Sequence, residues 1–250
     1  MKIKTIKKTK TKYEIEFEDG TKINTYDEVI IKNNILYKKE LEKEMIQNIE
    51  NQNKFYETYY ETLKFIKKKI RSEYEIIEFL KEKECKDKEK IIQKLKDQKL
   101  INDKLYTRAY IHDKISFSQE GPEKIKQHLI NNKIKEEIIE EELNKIDKKE
   151  INKKLEKLII KKLNANTKYS NKMITQKIIN YFTNLGYEKN DILYIINNNI
   201  EENNEIIKKE YNKLIKKLER KYSDNELKHK IKQKLFQKGF SFEEINDLIN

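Results

Sequence analysis

The sequence is nearly free of the residues that interrupt regular structure or build covalent and metal frameworks. Its 250 residues include one proline (Pro122), four glycines, one cysteine (Cys85), three histidines and no tryptophan. A lone cysteine excludes an intrachain disulfide and a cysteine-based zinc site. His112, His128 and His229 lack the HExxH spacing of a metal centre, and they read as exposed or half-buried helical side chains. There is no glycine-rich phosphate loop, so no nucleotide hydrolysis is expected. So little glycine and proline also argues against a β-rich or loop-rich body. No apolar run approaches the roughly 18 residues of a membrane helix, and no apolar signal segment follows Met1. These absences predict a soluble, cytoplasmic protein, a non-enzyme with no cofactor, no metal and no membrane contact.

What is present is charge. Charged residues make up 40% of the chain and hydrophobic residues 36%, a balance that suits long amphipathic helices sharing thin cores. Fifty-six basic against 44 acidic residues give a net charge of +12, which favours phosphate or acidic-protein partners. Lys, Ile, Asn and Glu are enriched together, as coding DNA poor in G and C produces. Charge therefore carries weight only where it clusters.

Residues 1–25 differ from the rest. Lys2 to Ile6, Tyr13 to Phe17 and Thr21 to Thr25 alternate apolar with polar residues, and Asp19-Gly20 marks a hairpin turn. Ile3, Tyr13, Ile15, Phe17 and Ile23 form the predicted buried face. A short helix over Asp27–Lys32 and a longer one over Lys38–Asn53, with Leu41, Met45, Ile46 and Ile49 inward, complete an N-terminal extension of residues 1–53.

From residue 54 the pattern is helical and repeats. Apolar pairs five residues apart recur at Leu80/Cys85, Leu129/Ile134, Phe182/Tyr187 and Leu235/Phe240. The residue before the second member is Glu84, Lys133, Gly186 or Gly239, where a helix end asks for a left-handed backbone. Preceding helices carry Leu63/Ile66, Tyr106/Tyr110, Leu155/Ile159 and Leu214/Leu218. Following segments carry Ile91/Leu95, Ile138/Leu143, Ile192/Ile196 and Ile245/Leu248. Helix starts sit at Ser72, Gly121-Pro122, Ser170 and Ser223, with capping boxes at Ser72/Glu75, Ser223/Glu226 and Ser241/Glu244, each worth about 1 kcal/mol. The spacing predicts four three-helix repeats, at 54–102, 103–150, 151–203 and 204–250, with a second helix one turn longer in the last two. The fold class is mainly α, an elongated curved array of tandem three-helix repeats with a small N-terminal β-hairpin or three-stranded extension.

Basic residues cluster at the ends of the first helices: Lys67, Lys68 and Lys69 with Arg71; Lys161 and Lys162 with Lys168; Lys216 and Lys217 with Arg220 and Lys221. Arg108 and Lys114 occupy the matching place more weakly in the second repeat. Two explanations stay open. Cations at a helix C-terminus gain about 0.3–1 kcal/mol each from the dipole, and repeated cations can also form a basic ladder that contacts DNA or acidic protein. Sequence-specific base reading is disfavoured, because it asks for Arg, Asn and Gln side chains at base edges, whereas the third helices of the first two repeats are mixed and acidic, as in Lys135 to Glu142.

Arg71-Ser72-Glu73 before an apolar helix, Leu100-Ile101-Asn102-Asp103 with Tyr106 and Ala109, and Gly121-Pro122 with Ile125, Leu129, Lys133 and Ile134 resemble the RecX family, in its long Gram-positive form. The resemblance spans essentially the whole chain. It departs from the family at Glu84 and Lys133, where glycine is usual. The resemblance implies a monomeric regulator, mainly an inhibitor, of the bacterial recombinase RecA. Such a protein binds the RecA–single-stranded DNA filament in its groove and limits filament growth, strand exchange and co-protease activity. The alternative from the residues alone is an autonomous, non-specific nucleic-acid-binding repeat protein, touching single- or double-stranded DNA.

Overall fold

The computed structural model describes residues 1–201 and 205–249. The expected boundary between the third and fourth repeats, at 203/204, lies outside the described residues. The chain forms two compact units, Met1–Tyr106 and Thr107–Asn250.

The first unit opens with an antiparallel sheet, β1 (Ile3–Lys8), β2 (Tyr13–Phe17) and β3 (Lys22–Thr25), in that order. Ile6, Ile15 and Ile23 stand opposite one another across it. Ile15 and Phe17 are fully buried, and Ile3, Tyr13 and Ile23 pack beside them, as the alternation predicts. Ile6 joins the same face although it lies three residues from Ile3. A register shift between Ile3 and Thr5 supplies the extra residue, and a bulge of this kind is invisible to simple alternation. At the Asp19-Gly20 turn, Gly20 adopts φ 86° and the Asp19 carboxylate accepts the Thr21 N–H at 3.0 Å.

The sheet's buried face rests on α1 (Asp27–Lys32), a 3-10 turn (Ile35–Tyr37) and the first half of α2 (Lys43–Lys67), around Val29, Ile30, Ile35, Leu41 and Ile49. Here the structure departs from the sequence reading. The helix expected over Lys38–Asn53 starts later and does not stop: α2 is one helix of 25 residues, so the 53/54 boundary falls inside it. The polar run Asn51-Gln52-Asn53 carries no helix breaker. Its side chains tether the extension instead, with Asn53 accepting from Thr25 Oγ1 at 2.7 Å and donating to the Asn24 carbonyl at 2.9 Å, and Gln52 accepting from Asn33 at 3.1 Å. The far half of α2 packs on α3 (Glu73–Glu82) and α4 (Lys88–Asp97) around Tyr59, Ile76, Leu80, Ile91 and Leu95.

Three triplets follow: α5 (Asp103–Phe117), α6 (Pro122–Asn131) and α7 (Glu136–Leu143); α8 (Lys148–Asn164), α9 (Asn171–Asn184) and α10 (Lys189–Asn199); α11 (Glu205–Leu218), α12 (Asp224–Phe236) and α13 (Phe242–Ile249). The second helices α3, α6, α9 and α12 have 10, 10, 14 and 13 residues, so the later ones carry the predicted extra turn. Tyr187 and Phe240 anchor the third and fourth cores. The Ser72 and Ser241 capping boxes form in both directions. The Ser223 box does not: Ser223 sits at the helix start, but its exposed side chain makes no capping bond.

All four second helices end alike. The N–H groups of Cys85, Ile134, Tyr187 and Phe240 donate to the carbonyls of Leu80, Leu129, Phe182 and Leu235 at 3.0, 3.1, 3.0 and 3.4 Å. The residues before them, Glu84, Lys133, Gly186 and Gly239, have φ of 51, 58, 88 and 88°. A left-handed backbone is thus common to all four and does not select glycine. Close approach does. A Cβ on Gly186 would lie 2.3 Å from the Lys124 backbone nitrogen, and one on Gly239 would lie 2.6 Å from Met173 Cβ. At these points the start of one triplet's second helix seats on the end of the next triplet's second helix. The Gly121 N–H donates to the Leu185 carbonyl at 2.6 Å and the Glu123 N–H to the Gly186 carbonyl at 3.1 Å. Likewise the Ser170 N–H donates to the Lys238 carbonyl at 3.1 Å and its hydroxyl to the Gly239 carbonyl at 2.7 Å. In the first unit, the Glu73 N–H at the start of α3 uses the Asp103 carboxylate at 2.8 Å.

Candidate interaction surface

The basic residues singled out in the sequence divide into those the fold uses internally and those it leaves in solvent. Arg71 belongs to the first group. Its side chain is only 15% exposed, its guanidinium lies 4.0 Å from the Phe65 ring, and Nη1 donates to Glu75 at 3.1 Å. Phe65 in turn stacks on Phe79 at 4.3 Å, so Arg71 clamps the α2–α3 junction. Lys69 lies 3.2 Å from the same Glu75 carboxylate but stays open to solvent. Burial opposes the Glu75 charge, yet the Ser72 N–H, Lys69 and Arg71 hold its carboxyl below the usual range.

Arg108 also has internal work. It sits in the first half of α5, not at its end. Nε and Nη2 donate to the two Glu142 oxygens at 2.9 and 3.3 Å, and Lys145 adds a bond at 2.7 Å. These donors, Arg108 first and Lys145 second, hold the buried Glu142 carboxyl down at about 2. Lys114 pairs with Glu120 at 3.0 Å. Lys154, which the sequence reading passed over, donates to the Lys114 carbonyl at 3.2 Å and so helps to cap α5; burial pulls its ammonium below the usual value. Only its partners reveal this lysine, because its sequence surroundings resemble every other Lys-rich turn.

The second group is exposed. Lys67, Lys68, Lys161, Lys168, Lys216, Lys217, Arg220 and Lys221 face solvent, and none makes an ion pair among the described residues. Lys67, Lys161, Lys162, Lys216 and Lys217 occupy the last turns of α2, α8 and α11, where the helix dipole favours them. Lys162 is half-buried and stands 3.6 Å from the Tyr181 ring, whose hydroxyl donates to Gln119 at 2.9 Å. With Lys161 and Lys177 it edges a groove of about 510 Å³ that has Tyr181 on its wall.

Of the other reactive residues, Cys85 is half-buried against the first core, and burial pushes its thiol up. His128 stacks on Tyr110 at 4.4 Å, while His112 and His229 are exposed. Among the described residues, no group of three or more His, Cys, Asp or Glu is placed to hold a metal ion. Among them too, no helix is long and apolar enough to cross a membrane.

Comparison with known proteins places these features. The family model "RecX, second three-helix domain" matches residues 102–143, the second triplet. The model "RecX, third three-helix domain" matches residues 201–249, the fourth. The regulatory protein RecX of Streptococcus agalactiae serotype III is 32% identical across 100% of this chain and 98% of its own. That of Oceanobacillus iheyensis is 28% identical across 100% and 96%. A crystal structure of regulatory protein RecX superposes with a TM-score of 0.68 at 26% identity, covering 78% of this chain and 98% of its own. With similarity running the full length of relatives so named, one of them at 32% identity, the chain belongs to the RecX family of regulatory proteins.

Proposed function

We propose that this protein is a non-catalytic regulator, mainly an inhibitor, of the RecA recombinase. In this reading it acts as a monomer that lies in the groove of the RecA–single-stranded DNA filament and limits filament growth, strand exchange and co-protease activity. The observation that carries the reading is full-length similarity to proteins named regulatory protein RecX, at 32% identity in one case. The exposed lysines at the ends of α2, α8 and α11 support it. Modest basic contacts on the first, third and fourth triplets suit a repeating polymer, because contacts of low individual affinity combine through effective concentration.

The test is the DNA-dependent ATPase of a RecA from the same source. Inhibition that saturates at substoichiometric protein, with no ATP turnover by this chain alone, is the expected result. Normal RecA activity with this protein in excess overturns the proposal. Charge reversal at Lys67, Lys68, Lys216 and Lys217 should weaken inhibition strongly while lowering the melting temperature only by the small amount that losing cations at helix ends entails, since none of these residues makes an ion pair among the described residues.

The groove bearing Lys161, Lys162, Lys177 and Tyr181 favours a second reading, autonomous nucleic-acid binding. Cations beside an exposed aromatic ring suit a single-stranded backbone with a stacked base. That reading predicts tight binding to DNA without RecA, and a log–log salt slope of about −0.7 per phosphate contact on single strands.

A further inference from the structure

One apolar surface in the first unit is left open by its own triplet. Lys99 follows α4 with φ 55°, and the Leu100 N–H closes back on the Leu95 carbonyl at 2.9 Å. This is the same helix ending that buries Ile134, Tyr187 and Phe240. Leu100 nevertheless remains 44% exposed. Ile70 and Leu105, 59% and 53% exposed, stand with it along a groove of about 370 Å³ whose floor also includes Ile66. Three large aliphatic side chains collected on one groove are unlike singly scattered surface leucines, and patches of this kind mark binding sites.

The rim defines the occupant. Lys67, Lys69, Arg71 and Lys99 border the groove, and no carboxylate among the described residues lines it. Lys67 and Lys99 make no ion pair among the described residues. Among the described residues no aromatic side chain lines it either, so they offer no platform for stacking a base. An aliphatic floor inside a cationic rim complements a chain that carries apolar anchors between negative charges. We propose that this groove docks a short acidic segment of a partner protein, seating one or two large apolar side chains on Ile70, Leu100 and Leu105 and placing Asp or Glu against Lys67 and Lys99. The inference specifies the composition of the segment and does not depend on the partner being the recombinase.

The experiment selects a library of random twelve-residue peptides against the full chain. The recovered consensus peptide and a twelve-residue oligothymidylate are then titrated by fluorescence anisotropy. The expected consensus combines Asp or Glu with Leu, Ile, Phe or Met. The paired change Leu100→Ser with Leu105→Ser should weaken the peptide at least tenfold, and so should Lys67→Glu with Lys99→Glu. Both double variants should remain folded at the titration temperature, checked by circular dichroism, because no fully buried side chain is removed. Recovery of no acidic–apolar consensus overturns the proposal, as does peptide affinity unchanged in both variants. Oligothymidylate binding that falls in parallel with the leucine changes overturns it as well, and makes the groove a nucleic-acid surface.

Discussion

The ends of α6 and α9 perform the same turn with different residues. Lys133 follows α6 at φ 58° and Gly186 follows α9 at φ 88°. Both are followed by a buried anchor, Ile134 or Tyr187, whose N–H closes the turn. A side chain in the left-handed region bears roughly 1–2 kcal/mol of steric strain, and the first two triplets tolerate it at Glu84 and Lys133. Gly186 meets a different constraint. The first turn of α6 seats on it, so the position has room for neither a Cβ nor a shifted backbone. The comparison separates two reasons for a glycine that look identical in sequence, torsion and proximity. Here proximity decides.

The largest effect that would break this comparison is at the junction. Gly186→Ala adds left-handed strain to a clash with backbone, and the expected loss is about 2–5 kcal/mol, read as a lower urea midpoint by circular dichroism. A loss no greater than that of an exposed alanine would refute proximity. Gly239→Ala should cost less, because the nearest atoms there belong to the Met173 and Ser170 side chains, which have rotamers to yield into.

A second contrast concerns acid. Glu142 has its carboxyl held at about 2, below the ordinary value, so its contribution is complete above the usual carboxylate range and is lost as pH falls towards 2. Glu142→Gln should therefore lower the melting temperature at pH 7, with a gap to the parent that narrows steadily below pH 4.5. A gap that does not vary with pH would show that the carboxylate's charge is immaterial.

Smaller effects sharpen the capping picture. Ser72→Ala removes a two-way box and should cost about 1 kcal/mol. Ser223→Ala removes no capping bond and should stay within about 0.5 kcal/mol in the same urea titration. A small shift of the opposite sign belongs to Lys133→Gly. Relief of roughly 1–2 kcal/mol of left-handed strain is there only partly offset by the roughly 0.4–1 kcal/mol of added freedom in the unfolded chain, so the midpoint should rise slightly.

Much of the fold was legible because its signals are local. Helix periods, the Ser72 and Ser241 boxes, the Pro122 start and the longer second helices of the last two triplets each depend on residues within a few positions. What escaped depends on distant partners. Asn53 reads as a linker residue until Asn24 and Thr25 come within reach of its side chain. The Ile3–Thr5 bulge is set by pairing with β2. The candidate surface divides the same way. Clusters such as Lys67-Lys68-Lys69 are visible in any window, but Arg108 is recognised as structural only through Glu142, 34 positions away. Arg71 is the instructive exception: Glu75 is close in sequence, whereas burial under Phe65 is a fact of packing.

The seating of α6 on the end of α9 also gives the chain a direction in time. Glu120 and Tyr187, which meet through the Tyr187 hydroxyl and the Glu120 carbonyl, lie 67 positions apart. At about 5–20 residues per second, a ribosome needs roughly 3–13 seconds to supply the second after the first. For the later part of that interval, once Leu143 has been added, the second triplet is complete, but the amides of Gly121 and Glu123 still await the carbonyls of Leu185 and Gly186. Each of these triplets is therefore finished by its successor during synthesis.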